Sequence, residues 1–328
     1  LVLYLFGSSP AMCRSFGADA GIDMPLLNAE TWYEPFGTSL RMSDLGYSNQ
    51  NQARINISLN SLDEYIRDLS GAIRAPEPAY EKIGVKVDGE YRQLNANLLQ
   101  IENEYYSPIR PKRVARSGEW PTVALERGGI EYVEIRSLDI NVNDPAGINQ
   151  NTMRFMEAFL VYCLLADSPL LDDDELEESK TNQTQTAKRG RDPEFRLLRS
   201  GQLLPLRSWA EEILDGVMAV AESIDTQTED ESYAESVSLM QEMVTDPDST
   251  PSARLLRELR DADCSFFEFG LGAARGHRDY FASITPLLDD REAELETEVE
   301  ESVARQAAIE ASDTETLDDY LRRYFSQG

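Results

Sequence analysis

Glu134 and Arg136 stand two residues apart in Gly129-Ile130-Glu131-Tyr132-Val133-Glu134-Ile135-Arg136-Ser137-Leu138-Asp139-Ile140-Asn141. β-branched and aromatic residues recur through that stretch, which predicts a β-strand. Side chains alternate between the two faces of a strand. Ile130, Tyr132, Glu134, Arg136, Leu138 and Ile140 then share one face, with a carboxylate and a guanidinium in the middle of a mostly apolar stripe. An ion pair held there costs desolvation. Two readings stay open. One is a satisfied structural pair. The other is a ligand site, in which the carboxylate holds a hard cation and the arginine clamps a phosphate or carboxylate.

Two further clusters carry charge. Arg110-Pro111-Lys112-Arg113 with Arg116 places four cations close together in a chain of net charge −29. That local reversal reads either as a seat for a polyanion, such as a nucleoside triphosphate or a substrate carboxylate, or as a solvated loop pairing with acidic surface. Thr38-Ser39-Leu40-Arg41-Met42-Ser43-Asp44-Leu45-Gly46-Tyr47 is a hydroxyl-rich loop with one arginine. Arg41 is able to bind a carboxylate through two parallel hydrogen bonds; a capped turn explains the composition equally well. Gly270-Leu271-Gly272-Ala273-Ala274-Arg275-Gly276 is not a dinucleotide fingerprint, because its third glycine comes one residue late and it follows no strand. No Gly-Lys-Ser/Thr phosphate loop occurs, so ATP, if bound, is held without one.

The elements that must position these groups divide the chain. The opening Leu1-Val2-Leu3-Tyr4-Leu5-Phe6 reads as a chain entering partway along a helix, as though part of a longer protein, and Gly7-Ser8-Ser9-Pro10 reads as a turn. A helix is predicted at 62–73, with Ser61 as N-cap, Glu64 completing a capping box, and Leu62, Ile66, Leu69 and Ile73 on one face. Val85 to Arg92 is a hairpin with an Asp-Gly turn. Asn97 to Tyr106 is a second strand candidate. After Asn141 the pattern turns helical, with helices at 149–166 and near 207–225, 230–244, 251–261, 265–284, 288–311 and 314–325. Asp172–Glu178 reads as an acidic helix start, and 179–193 as a polar loop or linker. The expected class is α+β, with a sheet domain over 1–145 and an acidic helical region over 146–328.

Charge and cysteine bound the rest. Residues 1–150 carry net −6 and residues 151–328 carry −23. Such a chain is a poor ligand for nucleic acid or anionic membrane. Lysine is scarce, five against 26 arginines, as in salt-adapted proteins. Cys13, Cys163 and Cys264 make no metal-ligand spacing and no disulfide framework. They are expected to be small buried hydrophobes in a cytoplasmic setting. The single His277 supports neither a histidine metal cage nor a Ser-His-Asp triad.

Four segments together are specific: Tyr4 to Pro10, Thr38 to Tyr47, Gln100-Ile101-Glu102-Asn103-Glu104-Tyr105-Tyr106-Ser107-Pro108-Ile109-Arg110-Pro111-Lys112-Arg113, and Gly128 to Asp139. In sequence, order and spacing they resemble the proteobacterial type of glutamate–cysteine ligase, also called γ-glutamylcysteine synthetase. The resemblance is dense over 1–145 and thins beyond. It implies a glutamine-synthetase-like antiparallel sheet, incomplete here, followed by the helical region. It implies ATP-dependent joining of the γ-carboxyl of L-glutamate, through γ-glutamyl phosphate, to the α-amine of L-cysteine, the first step of glutathione synthesis. The implied cofactors are ATP and Mg²⁺, with Mn²⁺ as a substitute, and the implied state is a cytoplasmic monomer with no nucleic-acid or membrane partner. Carried over by motif, Glu134 looks like a metal ligand and Arg136 like the catalytic clamp on the transferring phosphoryl group. Arg41 looks like a contact to the amino-acid substrate, and Tyr47 and Tyr106 like walls of the cysteine pocket. Arg110, Lys112 and Arg113 receive a phosphate role from charge and placement alone. The family's other metal carboxylates and its histidine precede the position of Leu1, so this piece alone is expected to be weakly active or inactive. The alternatives are another carboxylate–amine ligase of the same superfamily, or a fragment that only binds nucleotide or amino acid.

Overall fold

The structure is a computed structural model that describes residues 1–17, 22, 24–46, 55–228, 231–284 and 289–327. In chain order the described elements are α1 (Val2–Phe6), β1 (Ala11–Cys13), β2 (Leu26–Asn28), β3 (Thr31–Tyr33), α2 (Leu62–Arg74), α3 (Pro78–Ile83), β4 (Lys86–Val87), β5 (Glu90–Tyr91), β6 (Ile109–Lys112), α4 (Pro121–Gly128) and β7 (Tyr132–Ile135). There follow α5 (Gln150–Leu165), α6 (Asp173–Arg189), β8 (Arg196–Arg199), β9 (Gln202–Pro205), α7 (Leu206–Thr228), α8 (Ser232–Thr245), α9 (Pro251–Ala262), α10 (Phe266–Ser283), α11 (Asp289–Ser312) and α12 (Leu317–Tyr324). Small antiparallel sheets and many helices make the class α+β, as expected.

Two compact units are interleaved along the chain. The first holds Leu1–Ala53, Tyr106–Ile109 and Ile135–Gly276, and the second holds Arg54–Tyr105, Arg110–Glu134 and His277–Gly328.

In the first unit, α1 is buried against α5, α7 and α8. Tyr4, Leu5, Phe155, Leu214, Val217 and Val237 are all fully enclosed there. Such apolar burial is the main stabilising term, about 1.5–3 kcal/mol per large side chain. β1, β3 and β2 form a three-stranded sheet. Its Ala11 packs on Leu255, Leu256 and Leu259 of α9. β8 and β9 are a hairpin turned at Ser200 and Gly201, both with positive φ. Sequence reasoning missed this hairpin because its apolar residues form a short run without alternation. The expected loop at 179–193 is helical through Arg189. Asp172 and Glu175 form a capping box, acids fill the first turn of α6, and Lys188 and Arg189 close the last. Caps and dipole complementarity therefore carry an apolar-poor sequence into a helix.

In the second unit, α2 and α4 enclose a core of Tyr65, Leu69, Ile73, Leu99, Trp120 and Leu125, with Tyr324 and Phe325 packed against it. Ser61 caps α2 by accepting from Glu64 N at 3.1 Å. The expected capping box is incomplete, because the Glu64 carboxylate takes the Ser58 hydroxyl instead. The Asp88-Gly89 hairpin forms as expected, both residues having positive φ. The strand expected at 97–106 does not form. Leu98 and Leu99 donate their N–H groups to Ala75 and Ala72 at the C-terminal end of α2, satisfying orphan helix carbonyls in place of a strand partner. Glu102 then turns inward within a 3-10 turn.

β6 and β7 pair. Glu131 N donates to Lys112 O at 2.9 Å in the second unit, and Arg136 N donates to Pro108 O at 2.8 Å in the first. The long strand expected over 129–141 is therefore shortened to four residues. Its even-numbered face is not a buried stripe either, since Ile130, Tyr132 and Ile140 are exposed. None of the cysteines is buried: Cys163 is exposed, and Cys13 and Cys264 are half-exposed. Among the described residues no helix is long and apolar enough to cross a membrane.

Candidate functional site

Past Ile135 the chain leaves the strand and turns its polar groups onto Arg41. Arg41 Nη2 donates to the carbonyls of Arg136 and Leu138, each at 2.8 Å, and Nε donates to Asp139 Oδ1 at 2.7 Å. Asp139 is nearly buried, with 3% of its side chain exposed. It accepts three more bonds, from Ser8 N at 2.8 Å, Ser9 Oγ at 2.7 Å and Ser39 Oγ at 3.0 Å. A buried carboxylate with four donors is satisfied in the way burial requires. Sequence reasoning gave Asp139 no role. The only available signal was an acid between Leu138 and Ile140.

Arg41 sits in a 3-10 turn, Leu40–Met42, whose Leu40 is buried. That turn is tied to α6: Thr38 N and Ser39 N both donate to Ala187 O, at 2.9 and 3.0 Å, and Thr38 Oγ1 donates to Thr186 O at 3.0 Å. Just beyond α6, Arg191 donates to the carbonyls of Pro35 and Gly37. Burial lowers this guanidinium to about 10, so it stays charged at neutral pH. Gly46 closes the loop, because a Cβ there would collide with the Arg41 carbonyl.

Against this anchor lies a cavity of about 280 Å³ lined by Arg41, Tyr106, Arg136 and Gln183, with Met42, Ser43, Ser107 and Pro108 completing its wall. The Arg136 guanidinium lies 4.9 Å from the centre of the Tyr106 ring, a cation–π arrangement. No hydrogen bond or ion pair engages that guanidinium among the described residues. Asp139 offsets Arg41, so the cavity keeps one uncompensated positive charge, and its described lining has no carboxylate. Its charge complements a small anion.

Glu134, Arg110, Lys112 and Arg113 belong to the second unit. Glu134 lies beside Lys112, with Nζ to Oε2 at 3.6 Å, and not in an ion pair with Arg136. Its Oε2 is shielded from solvent and makes no hydrogen bond to any described residue. A carboxylate oxygen with no hydrogen bond among the described residues is able to serve as one ligand of Mg²⁺, which commonly takes only one or two protein carboxylates. Among the described residues no group of three His, Cys, Asp or Glu side chains converges as a metal cage. The basic segment is not a solvent-facing cluster. Arg110 is 3% exposed and donates to Glu102 O at 3.3 Å. Arg113 is spent on the carbonyls of Gly128 and Gly129. Glu102 holds the start of α4 through Thr122, whose N–H and hydroxyl both donate to its carboxylate. Burial pushes this carboxyl above its ordinary value, against the opposing pull of those bonds and of Arg110. Tyr47 lies outside the described residues.

Architecture and pocket together define an α+β protein with an arginine-lined cavity. The family model described as glutamate-cysteine ligase matches residues 1–186. The glutamate–cysteine ligase of Alcanivorax borkumensis is 46% identical over 330 residues, covering 99% of this chain and 63% of the relative. That of Janthinobacterium sp. is 43% identical, covering 99% and 61%. The crystal structure of the Francisella tularensis glutamate–cysteine ligase in complex with AMP matches with TM-score 0.89 and 33% identity, covering 99% of this chain and 64% of that one. The chain belongs to the glutamate–cysteine ligase family, and it spans about 63% of the length of the relatives it matches.

Proposed function

We propose that this chain serves the ATP-dependent ligation of L-glutamate to L-cysteine: the γ-carboxyl is activated as γ-glutamyl phosphate and then captured by the cysteine α-amine. ADP and phosphate leave. The observation that carries the reading is the cavity with Arg41 fixed by Asp139 and Arg136 unbonded above Tyr106, in a chain of this family. The AMP in the Francisella structure supports nucleotide use.

On this reading Arg41 holds a substrate carboxylate, and Tyr106, with Tyr47, walls the cysteine pocket. Arg136 neutralises charge on the transferring phosphoryl group, which is most of what such transfers ask of a protein. Its guanidinium reaches that task without breaking an existing hydrogen bond. Glu134 Oε2 would be one ligand of Mg²⁺ or Mn²⁺, which would supply charge neutralisation on phosphate oxygens. Lys112, next to Glu134, is the member of the basic segment best placed for a phosphate role, since Arg110 and Arg113 donate to main-chain carbonyls. The β6–β7 pair belongs on this view to a glutamine-synthetase-like sheet. A cytoplasmic monomer without nucleic-acid or membrane partners completes the reading.

The test is ADP release by the protein as its gene encodes it, supplied with ATP, Mg²⁺ and L-glutamate. Release that rises when cysteine is added, and γ-glutamylcysteine among the products, are expected. No cysteine-dependent release, or a preference for a different amine, would overturn the assignment.

A further inference from the structure

Gln183 lines the cavity beside Arg41 and Arg136, yet it comes from α6, in a stretch whose polar composition resembles a linker. We infer that Gln183 is a specificity-determining residue of this pocket, whose side-chain amide hydrogen-bonds the amino acid that Arg41 holds. The inference rests on the proposed ligase reading and adds a contact from the helical part of the chain.

Three observations carry it. First, Gln183 is half-buried and its amide makes no hydrogen bond to any described residue, whereas its neighbour Asn182 is committed to Leu198 through both amide ends. Second, the other polar atoms of the wall are largely spent. Ser43 Oγ donates to Leu40 O, Ser107 Oγ donates to Ile109 O, and Arg41 has two of its nitrogens on Asp139 and the main chain. Gln183 brings the pocket an uncommitted acceptor together with donors. Third, its position is set. Ala187, one turn on, accepts the N–H groups of Thr38 and Ser39, and these residues lead directly into Arg41. The same helix therefore fixes both Gln183 and the loop that presents Arg41. Preorganisation of this kind makes a single amide effective, because little ordering remains to be done on binding.

The chemistry also says why an amide stands there. The Arg41 guanidinium serves a carboxylate, but an amino acid also carries an amine with N–H groups to satisfy. A glutamate at this position would pair with the arginines and close the site. An amide accepts from the amine without competing for the cations.

The experiment compares the wild type with Gln183→Met, which keeps length without hydrogen bonding, and with Gln183→Glu, in the protein as its gene encodes it. Gln183→Met is expected to raise KM for one amino-acid substrate by about tenfold, the cost of one lost hydrogen bond to a substrate. KM for ATP and the thermal midpoint should stay as in the wild type. Gln183→Glu should raise the same KM further. Both amino-acid KM values within twofold of wild type in Gln183→Met would overturn the inference. So would an equal change in every kinetic constant together with a lowered melting temperature, which marks a structural role. If the wild type shows no ligation, the parent reading fails on its own. Thermal-shift titrations with L-glutamate and L-cysteine then decide the Gln183 contact separately: weaker stabilisation in Gln183→Met supports it, and equal stabilisation removes it.

Discussion

Arg41 Nε lies 2.7 Å from Asp139 Oδ1, and the two are joined across 98 residues of sequence. The bond does more than neutralise a charge. Asp139 gathers the turn at Ser8 and Ser9, the loop at Ser39 and the segment after β7 onto one carboxylate. Arg41 is thereby held in one orientation before any ligand arrives.

Replacing Asp139 by asparagine keeps the volume but removes the charge and one acceptor. Breaking a buried pair by altering one partner costs about 3–5 kcal/mol, and the partial exposure of Arg41 places this case near the lower end, at about 3 kcal/mol. The expected result is a fall in Tm of about 5 °C, together with weaker binding of the amino-acid substrate. Differential scanning calorimetry of Asp139→Asn checks the first part. An unchanged midpoint would show that the carboxylate is not what ties these segments together.

Arg136 has the opposite character. Its guanidinium stacks on Tyr106 and makes no described hydrogen bond. Arg136→Met should therefore change stability little, by about 1 kcal/mol or less. Turnover should fall by about a thousandfold if the guanidinium neutralises a transferring phosphoryl group. Arg136→Lys should recover only a small part, because an ammonium does not reproduce the planar fork. Steady-state kinetics with parallel melts separates these outcomes, and a variant that loses stability while keeping turnover would reverse the assignment.

What was legible in the sequence follows from whether the signal was local. The 62–74 and 150–165 helices announce themselves through apolar period, and the first also through Ser61 as its cap. The later helices do the same by period alone. The α6 helix does not, because its buried residues are only Thr186 and Ala187, and its stability is written in caps and terminal charges. Asn97 to Tyr106 misleads for the converse reason. Its alternation is that of a strand, but its main-chain donors are claimed by the carbonyls of α2. Arg41, Arg136 and Glu134 could be singled out as charges in suspicious places. Their partners could not, since Asp139 draws its donors from residues 98 to 131 positions away. The pairing of Glu134 with Lys112 in place of Arg136 likewise depends on which strand lies beside β7.

Glu102 supplies a pH prediction. Burial raises its carboxyl above the ordinary value in the folded state, although Thr122 and Arg110 pull the other way. The folded protein therefore binds this proton more tightly than the unfolded chain does. Stability from this group is fully present below the unfolded value and is lost as pH rises through the raised folded value. Glu102→Gln removes the titration while keeping an acceptor for Thr122. The difference in Tm between wild type and Glu102→Gln should accordingly shift against the wild type as pH climbs from about 4.5 towards neutrality. A difference that stays flat over that range would mean the carboxyl titrates normally.

Glu134 offers the sharpest separation of structure from chemistry. Its Oε2 is out of contact with water and makes no hydrogen bond to any described residue, and Lys112 Nζ stands at 3.6 Å, beyond ordinary bonding distance. Little folding energy is invested in this oxygen, so Glu134→Gln should melt within about 0.5 kcal/mol of wild type. If the oxygen is instead a ligand for Mg²⁺, the amide is a much poorer one. The Mg²⁺ concentration for half-maximal ADP release should then rise by about tenfold or more. A Glu134→Gln protein with an unaltered Mg²⁺ requirement would place the metal elsewhere.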